Sequence, residues 1–212
     1  MTDNPAKTEA AEHPDIAFAT MGTGPLLERD YFAVFEGVEC SPEDLAHKVR
    51  CHFEEFAPKE TAVFRRDEEG SPLDVGDELV ITLALLGRCR VRVVCFDDRS
   101  LTLRTLKWHP ESGRITFGAG RDEQGRLTFR IRSRTRASKV HHYLGYLVMG
   151  KQMQSRCWIN FLGNLAESCG GKVLNELVHV RSYKVEPVEA DGRCLEAPTF
   201  TEDEPPRPGC PK

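Results

Sequence analysis

The sequence predicts an α+β fold in which a curved antiparallel β-sheet wraps around a long C-terminal α-helix, with one or two short helices after the first strand. Three observations predict it. Five alternating segments, ELVITLALLG (78–87), RCRVRVVCF (88–96), SLTLRTLKW (100–108), RITFGAG (114–120) and RLTFRIRSRT (126–135), follow one another across short turns rich in Gly and Asp. That is the spacing of hairpin-connected strands. Residues 139–169 contain no proline, and a helix of that length spans about 46 Å. An apolar, aromatic stretch and a capped helical pattern precede the strands. A cupped sheet must bury its apolar face, and one long helix can run along the whole concave side. Wherever the helix seats loosely, a cavity remains.

The elements follow in order. Residues 1–28 are polar and short of β-branched residues, which places them outside the domain as a disordered segment. YFAVFEGVE (31–39) reads as a strand. Ser41 is a good N-cap, Pro42 suits the first helical position, and Asp44 completes a capping box. Leu45, Val49, His52, Phe53 and Phe56 then recur at helical spacing, so a helix or broken helix pair runs to about residue 57, before Pro58. After the meander and the long helix, Gly170 and Gly171 supply a stop. VLNELVHVRSYKVEP (173–187) adds a final strand. The domain therefore spans 29–187, and 188–212, acidic and proline-rich, forms a disordered tail.

Composition narrows the function classes. No apolar run approaches the roughly 18 residues of a membrane span, and MTDNPAKTEAAEHPD carries no apolar signal segment. The eight cysteines are scattered, with no C-x-x-C pair and no zinc spacing. A cytoplasmic protein with reduced thiols, and with neither metal nor cofactor, is expected. Net charge is −4, but residues 1–30 hold six acidic against two basic residues, and 186–212 hold seven against three. The body between them is mildly basic, too weakly to imply a nucleic-acid partner.

Three groups of residues carry chemistry. On the long helix, Val140, Tyr143, Leu144, Leu147, Trp158, Phe161, Leu162 and Leu165 share one face, and Lys151 and Gln154 fall within it. Either both polar groups project into a cavity and orient a ligand, or the helix bends at Gly145 or Gly150, or Lys151 snorkels to the rim. The stretch KWHPESGRITF (107–117) brings His109, Glu111 and Ser112 together. The pattern favours a hairpin turn set by Pro110 and Gly113. The alternative is a cyclase- or hydrolase-type enzyme with His109 as general base near Glu111. Finally, Arg88, Arg90 and Arg92, and Arg130, Arg132, Arg134 and Arg136, each line one face of a strand. They form either a solvated face paired across strands with carboxylates or an anion-binding face, with an acidic protein partner met through Arg130, Arg132 and Arg134.

The stretch from Leu73 to Phe117 resembles a family catalogued as a domain of unknown function, number nineteen-ninety. Its members similarly run through a Thr-Leu-x-x-His-Pro-Glu-Ser-Gly motif to a Phe. The matching residues are Gly76, Cys89, Val91, Thr105, Leu106, His109, Pro110, Glu111, Ser112, Gly113 and Phe117, and Ser133-Arg134 looks like the family's Ser-Arg pair. The resemblance covers roughly residues 73–165. It implies a helix-grip fold of the Bet v 1 and START-related type, whose members often enclose lipids, sterols or other apolar ligands.

The expectation is thus a module that binds a hydrophobic or amphipathic small molecule, a lipid included, between sheet and helix. Tyr143, Leu147 and Trp158 would form the apolar wall, Lys151 and Gln154 the polar anchors, and His109 and Glu111 a gate at the cavity mouth.

Overall fold

The computed structural model describes residues 7–8, 13–66, 71–83, 87–139, 151–174 and 179–185. The strands are β1 (Lys7–Thr8), β2 (Thr23–Glu36), β3 (Ala62–Arg65), β4 (Glu78–Leu83), β5 (Gly87–Phe96), β6 (Ser100–Thr105), β7 (Glu111–Arg121), β8 (Leu127–Ala137), β9 (Lys172–Val173) and β10 (His179–Val185). Eight lie in the order β10-β2-β8-β7-β6-β5-β4-β3, with β1 beside β5 and β9 beside β2, and every pairing is antiparallel. Strands β3 to β8 pair in chain order, as a meander does, and β2 returns to cover the free side of β8. The architecture is a curved antiparallel sheet holding helices on its concave face.

Helix α1 (Pro42–Phe56) begins at the expected capping box. The Asp44 N–H donates to Ser41 Oγ at 3.0 Å, and the Ser41 N–H donates to Asp44 Oδ2 at 3.1 Å. The helix kinks at His52, whose φ is −129°. Helix α2 (Lys151–Ser168) buries Cys157, Trp158, Phe161, Leu162, Leu165 and Ala166. Phe117 of β7 meets Phe53, Trp158 and Phe161 with ring centroids 5.0, 5.4 and 5.6 Å apart. These rings pack against one another between sheet and helix. Gly170, at φ 76°, turns the chain out of the helix.

The structure departs from the sequence expectations in three places. Residues 13–28, expected outside the domain, are part of it. The Ala17 N–H donates to the Thr105 carbonyl at 2.9 Å, Ile16 bridges to Leu106, and β2 already begins at Thr23. A few apolar residues suffice: Ile16 packs with Val94, Cys95 and Leu106 on the convex side. Strand β3 was not anticipated, since four residues are too few to show a period. The β6–β7 reversal falls at Leu106–Pro110, with Trp108 at φ 74° and 79% exposed, so Glu111 and Ser112 belong to β7 and not to the turn. Of the helix expected over 139–169, Lys151–Ser168 is helical and Ser138–Lys139 form a bend. The expectations for Val140, Tyr143, Leu144 and Leu147 lie outside the described residues.

Candidate functional site

In β2, Tyr31, Ala33 and Phe35 point into the core. Two-residue alternation therefore turns Arg29 to the same concave face. Its register partner on β8 is Ser133, with Thr135 one step further along that face. Ser133 in turn pairs with Ile115 of β7, and Glu111 lies two alternations upstream. One end of the concave face thus gathers Arg29, Glu111, Ser133 and Thr135 beneath the first turns of α2.

These groups form a connected network. Arg29 Nη2 donates to Glu111 Oε1 at 3.1 Å, and Arg29 Nη1 donates to Thr135 Oγ1 at 3.2 Å. Thr135 Oγ1 donates to Glu111 Oε1 at 3.2 Å, and Gln154 Nε2 of α2 donates to Glu111 Oε2 at 3.1 Å. Beside it, Tyr31 Oη and Ser155 Oγ lie 3.5 Å apart. The Arg29 side chain is 2% exposed and that of Glu111 16%. Two charges so placed offset each other's desolvation only because both are hydrogen-bonded further. The pair is electrically neutral as a unit.

Among the described residues, the buried side-chain atoms on this side of the sheet without a hydrogen-bond partner include Ser133 Oγ, Gln154 Oε1 and Trp158 Nε1. Trp158 stands one helical turn beyond Gln154, and Ser133 stands across from Arg29. A hydroxyl that can donate or accept, a carbonyl acceptor and an indole N–H donor are therefore held near a balanced ion pair, with aromatic rings behind them.

Gly113 lets β7 carry Glu111 to this point. Its φ is 148°, and a Cβ there would lie 2.1 Å from the Arg134 carbonyl oxygen. Its N–H donates to Thr105 Oγ1 at 2.9 Å. Ser112 alternates to the opposite face and is buried.

The remaining expected site residues fall as follows. His109 is half-buried, with Nδ1 2.9 Å from the Glu111 carbonyl oxygen and 3.0 Å from the Glu111 amide nitrogen. The imidazole thus braces the turn through main-chain groups, while the Glu111 carboxylate is committed to Arg29, Thr135 and Gln154. Lys151 opens α2, but its side chain, like Tyr143 and Leu147, lies outside what the structure describes. Burial, reinforced by the Glu111 charge, pushes the Cys89 thiol up to about 12, and burial pushes Cys157 up to about 11. Both are therefore neutral core thiols near neutral pH. Elsewhere, Glu55, Lys59, Ile159, Asn160 and Asn164 are among the residues lining a cleft of about 530 Å³ on the outer side of α2, away from the network.

On the convex face, Arg130 pairs with Asp30, Arg134 with Glu28, and Arg132 Nη2 lies 3.4 Å from Asp30. The cross-strand pairing expected for one reading of these arginines is present. These three arginine side chains are only 12–16% exposed, whereas Arg88 and Arg90 of β5 are exposed.

Arg29 was missed from sequence because the first strand was placed from residue 31 onward. Extending the alternation of Tyr31, Ala33 and Phe35 back by one step would have found it.

The family described as "Domain of unknown function (DUF1990)" matches residues 36–162, more than half of the chain. The protein belongs to this family. The DUF1990 match reaches further toward the N-terminus than the HPESG stretch alone suggests, and takes in α1, the meander and the aromatic part of α2. No curated protein matches the chain. Among solved structures, the DUF1990 chain is similar to protein CV1439 from Chromobacterium violaceum, at 12% identity and a TM-score of 0.45, covering 67% of this chain and 96% of that one. It is also similar to the major latex-like protein 151 of Panax ginseng, at 14% identity and a TM-score of 0.39, covering 69% and 99%. A Thermobifida fusca protein solved by NMR is 17% identical with a TM-score of 0.44, covering 68% and 93%. No helix among the described residues is long and apolar enough to cross a membrane.

Proposed function

We propose that the chain binds a hydrophobic or amphipathic small molecule on the concave face, between the sheet and α2. The supporting observation is the set of partnerless buried atoms, Ser133 Oγ, Gln154 Oε1 and Trp158 Nε1, beside the Arg29–Glu111 pair. Leaving a buried polar atom unsatisfied costs about 1–3 kcal/mol, so a ligand that meets two or three of them gains binding energy the empty site lacks. Glu111 already balances Arg29, so the polar end of the ligand is neutral, a hydroxyl or amide that can donate to Gln154 and accept from Trp158. The apolar body lies against the Trp158 ring. Tyr143 and Leu147 as further wall, and Lys151 as a second anchor, join this proposal on their sequence positions alone, and His109 with Glu111 marks its mouth.

A thermal-shift panel of long-chain alcohols, monoacylglycerols, sterols and fatty acids tests it. Neutral hydroxyl-bearing compounds are expected to raise the Tm of the wild type by several degrees, since saturation a hundredfold above Kd contributes about 2.7 kcal/mol. The shift should vanish in Gln154→Leu. A wild-type Tm that no compound in the panel moves would overturn the proposal.

A further inference from the structure

The convex face carries a row of side chains in direct register across six neighbouring strands. Glu78 of β4 faces Arg92 of β5, which faces Arg104 of β6, then Arg114 of β7, Arg134 of β8 and Glu28 of β2. Adjacent strands lie about 4.8 Å apart, and like charges placed directly opposite repel. The ends of the row are compensated: Arg92 Nη1 lies 3.5 Å from Glu78 Oε1, and Arg134 pairs with Glu28. Arg104 in the middle has no carboxylate within ion-pair reach among the described residues. It is 2% exposed, its Nη1 is buried without a hydrogen-bond partner, and its guanidinium sits 4.7 Å from the centroid of the Phe18 ring. A desolvated cation–π contact contributes about 2 kcal/mol or more, and a buried ion loses several kcal/mol of hydration. The difference calls for an anion.

The N-terminal segment makes this a covered site. Ile16 and Ala17 bond to the β6 end at Leu106 and Thr105, and Phe18 lies over Arg104. The nearby acid of that segment, Asp15, is engaged 3.0 Å from Lys107 Nζ. We infer that the convex face binds a phosphate-type oxyanion held by Arg104 and its cross-strand neighbour Arg114, under the Ile16–Phe18 segment. The planar fork of a guanidinium presents parallel donors that match two oxygens of such a group. The site is separate from the concave face and independent of the small-molecule proposal. It also lies off Arg130, Arg132 and Arg134, whose charges Asp30 and Glu28 already meet.

The test is titration of the full chain with inorganic phosphate and with adenosine monophosphate at constant ionic strength, read by calorimetry and Tm. Saturable binding is expected in the wild type, weakened at least tenfold in both Arg104→Gln and Arg114→Gln. Binding of the mononucleotide at least tenfold tighter than phosphate assigns a nucleotide phosphate, and equal binding assigns the free oxyanion. No saturable binding of either compound would overturn the inference. So would wild-type affinity in Arg114→Gln, the half-buried position that serves if Arg104→Gln fails to fold.

Discussion

The two faces of the sheet solve the problem of buried charge in opposite ways. On the concave face one arginine meets one carboxylate, and Thr135 and Gln154 add further hydrogen bonds. The partnerless atoms of Ser133, Gln154 and Trp158 there are neutral. On the convex face Glu78, Glu28 and Asp30 answer neighbouring arginines, and no carboxylate among the described residues reaches Arg104. What remains unsatisfied there is a full positive charge. The same sheet thus offers a neutral, amphipathic site inside and an anionic one outside. The partner each face calls for is set by what its own side chains leave unpaired.

Substitutions can break this contrast. Gly113→Ala is expected to have the largest effect, a loss of about 5 kcal/mol or outright failure to fold, because the new Cβ meets the Arg134 carbonyl at 2.1 Å. A urea midpoint near that of the wild type would show that β7 need not run so close to β8 to deliver Glu111. Next, Glu111→Leu strands Arg29 and should cost about 3–5 kcal/mol in urea unfolding, with most of it restored when Arg29→Met is added. The convex counterpart has the opposite sign. Arg104→Met in phosphate-free buffer should leave stability unchanged or raise it, because it removes a charge with no carboxylate beside it. A loss comparable to that of Glu111→Leu would mean that the two faces do not differ as described.

Smaller effects sharpen the comparison. Ser133→Ala removes a buried hydroxyl with no hydrogen-bond partner among the described residues, so stability should stay within about 1 kcal/mol of the wild type or rise, while the ligand-induced Tm shift shrinks. Cys89 and Cys157 have folded pKa values of about 12 and about 11, above their ordinary 9.0. The folded state therefore holds these protons more tightly. Their contribution is complete below about pH 9 and is lost as pH rises through the folded values. The urea midpoint should decline above pH 9, and less steeply in Cys89→Ala. A decline equally steep in that variant would show that Cys89 does not couple folding to pH.

Much of the fold was legible because it rests on local pattern. The meander follows from alternation in β4 to β8, α1 from the Ser41–Asp44 box, and the buried face of α2 from Trp158, Phe161, Leu162 and Leu165 at helical spacing. Gln154 was legible for the same reason, as a polar residue in an apolar stripe, and its contact is with Glu111. The rest depended on pairing between distant segments. Nothing local to Arg29 announces Ser133 or Glu111 as a neighbour, since β2 reaches β8 only across a hundred residues of chain. Nothing local to Arg104 announces that Phe18 lies over it. The N-terminal segment was misjudged because a short apolar patch that covers a sheet has no period of its own.

Native mass spectrometry of the protein purified gently from cells, with extraction and mass analysis of what it carries, tests the central claim most directly. The expected result is a substoichiometric or stoichiometric neutral, hydroxyl- or amide-bearing amphipath on the wild type, absent from Gln154→Leu. A wild-type chain that carries no adduct, and takes up none when offered the same class of compound in excess, would contradict the concave ligand site.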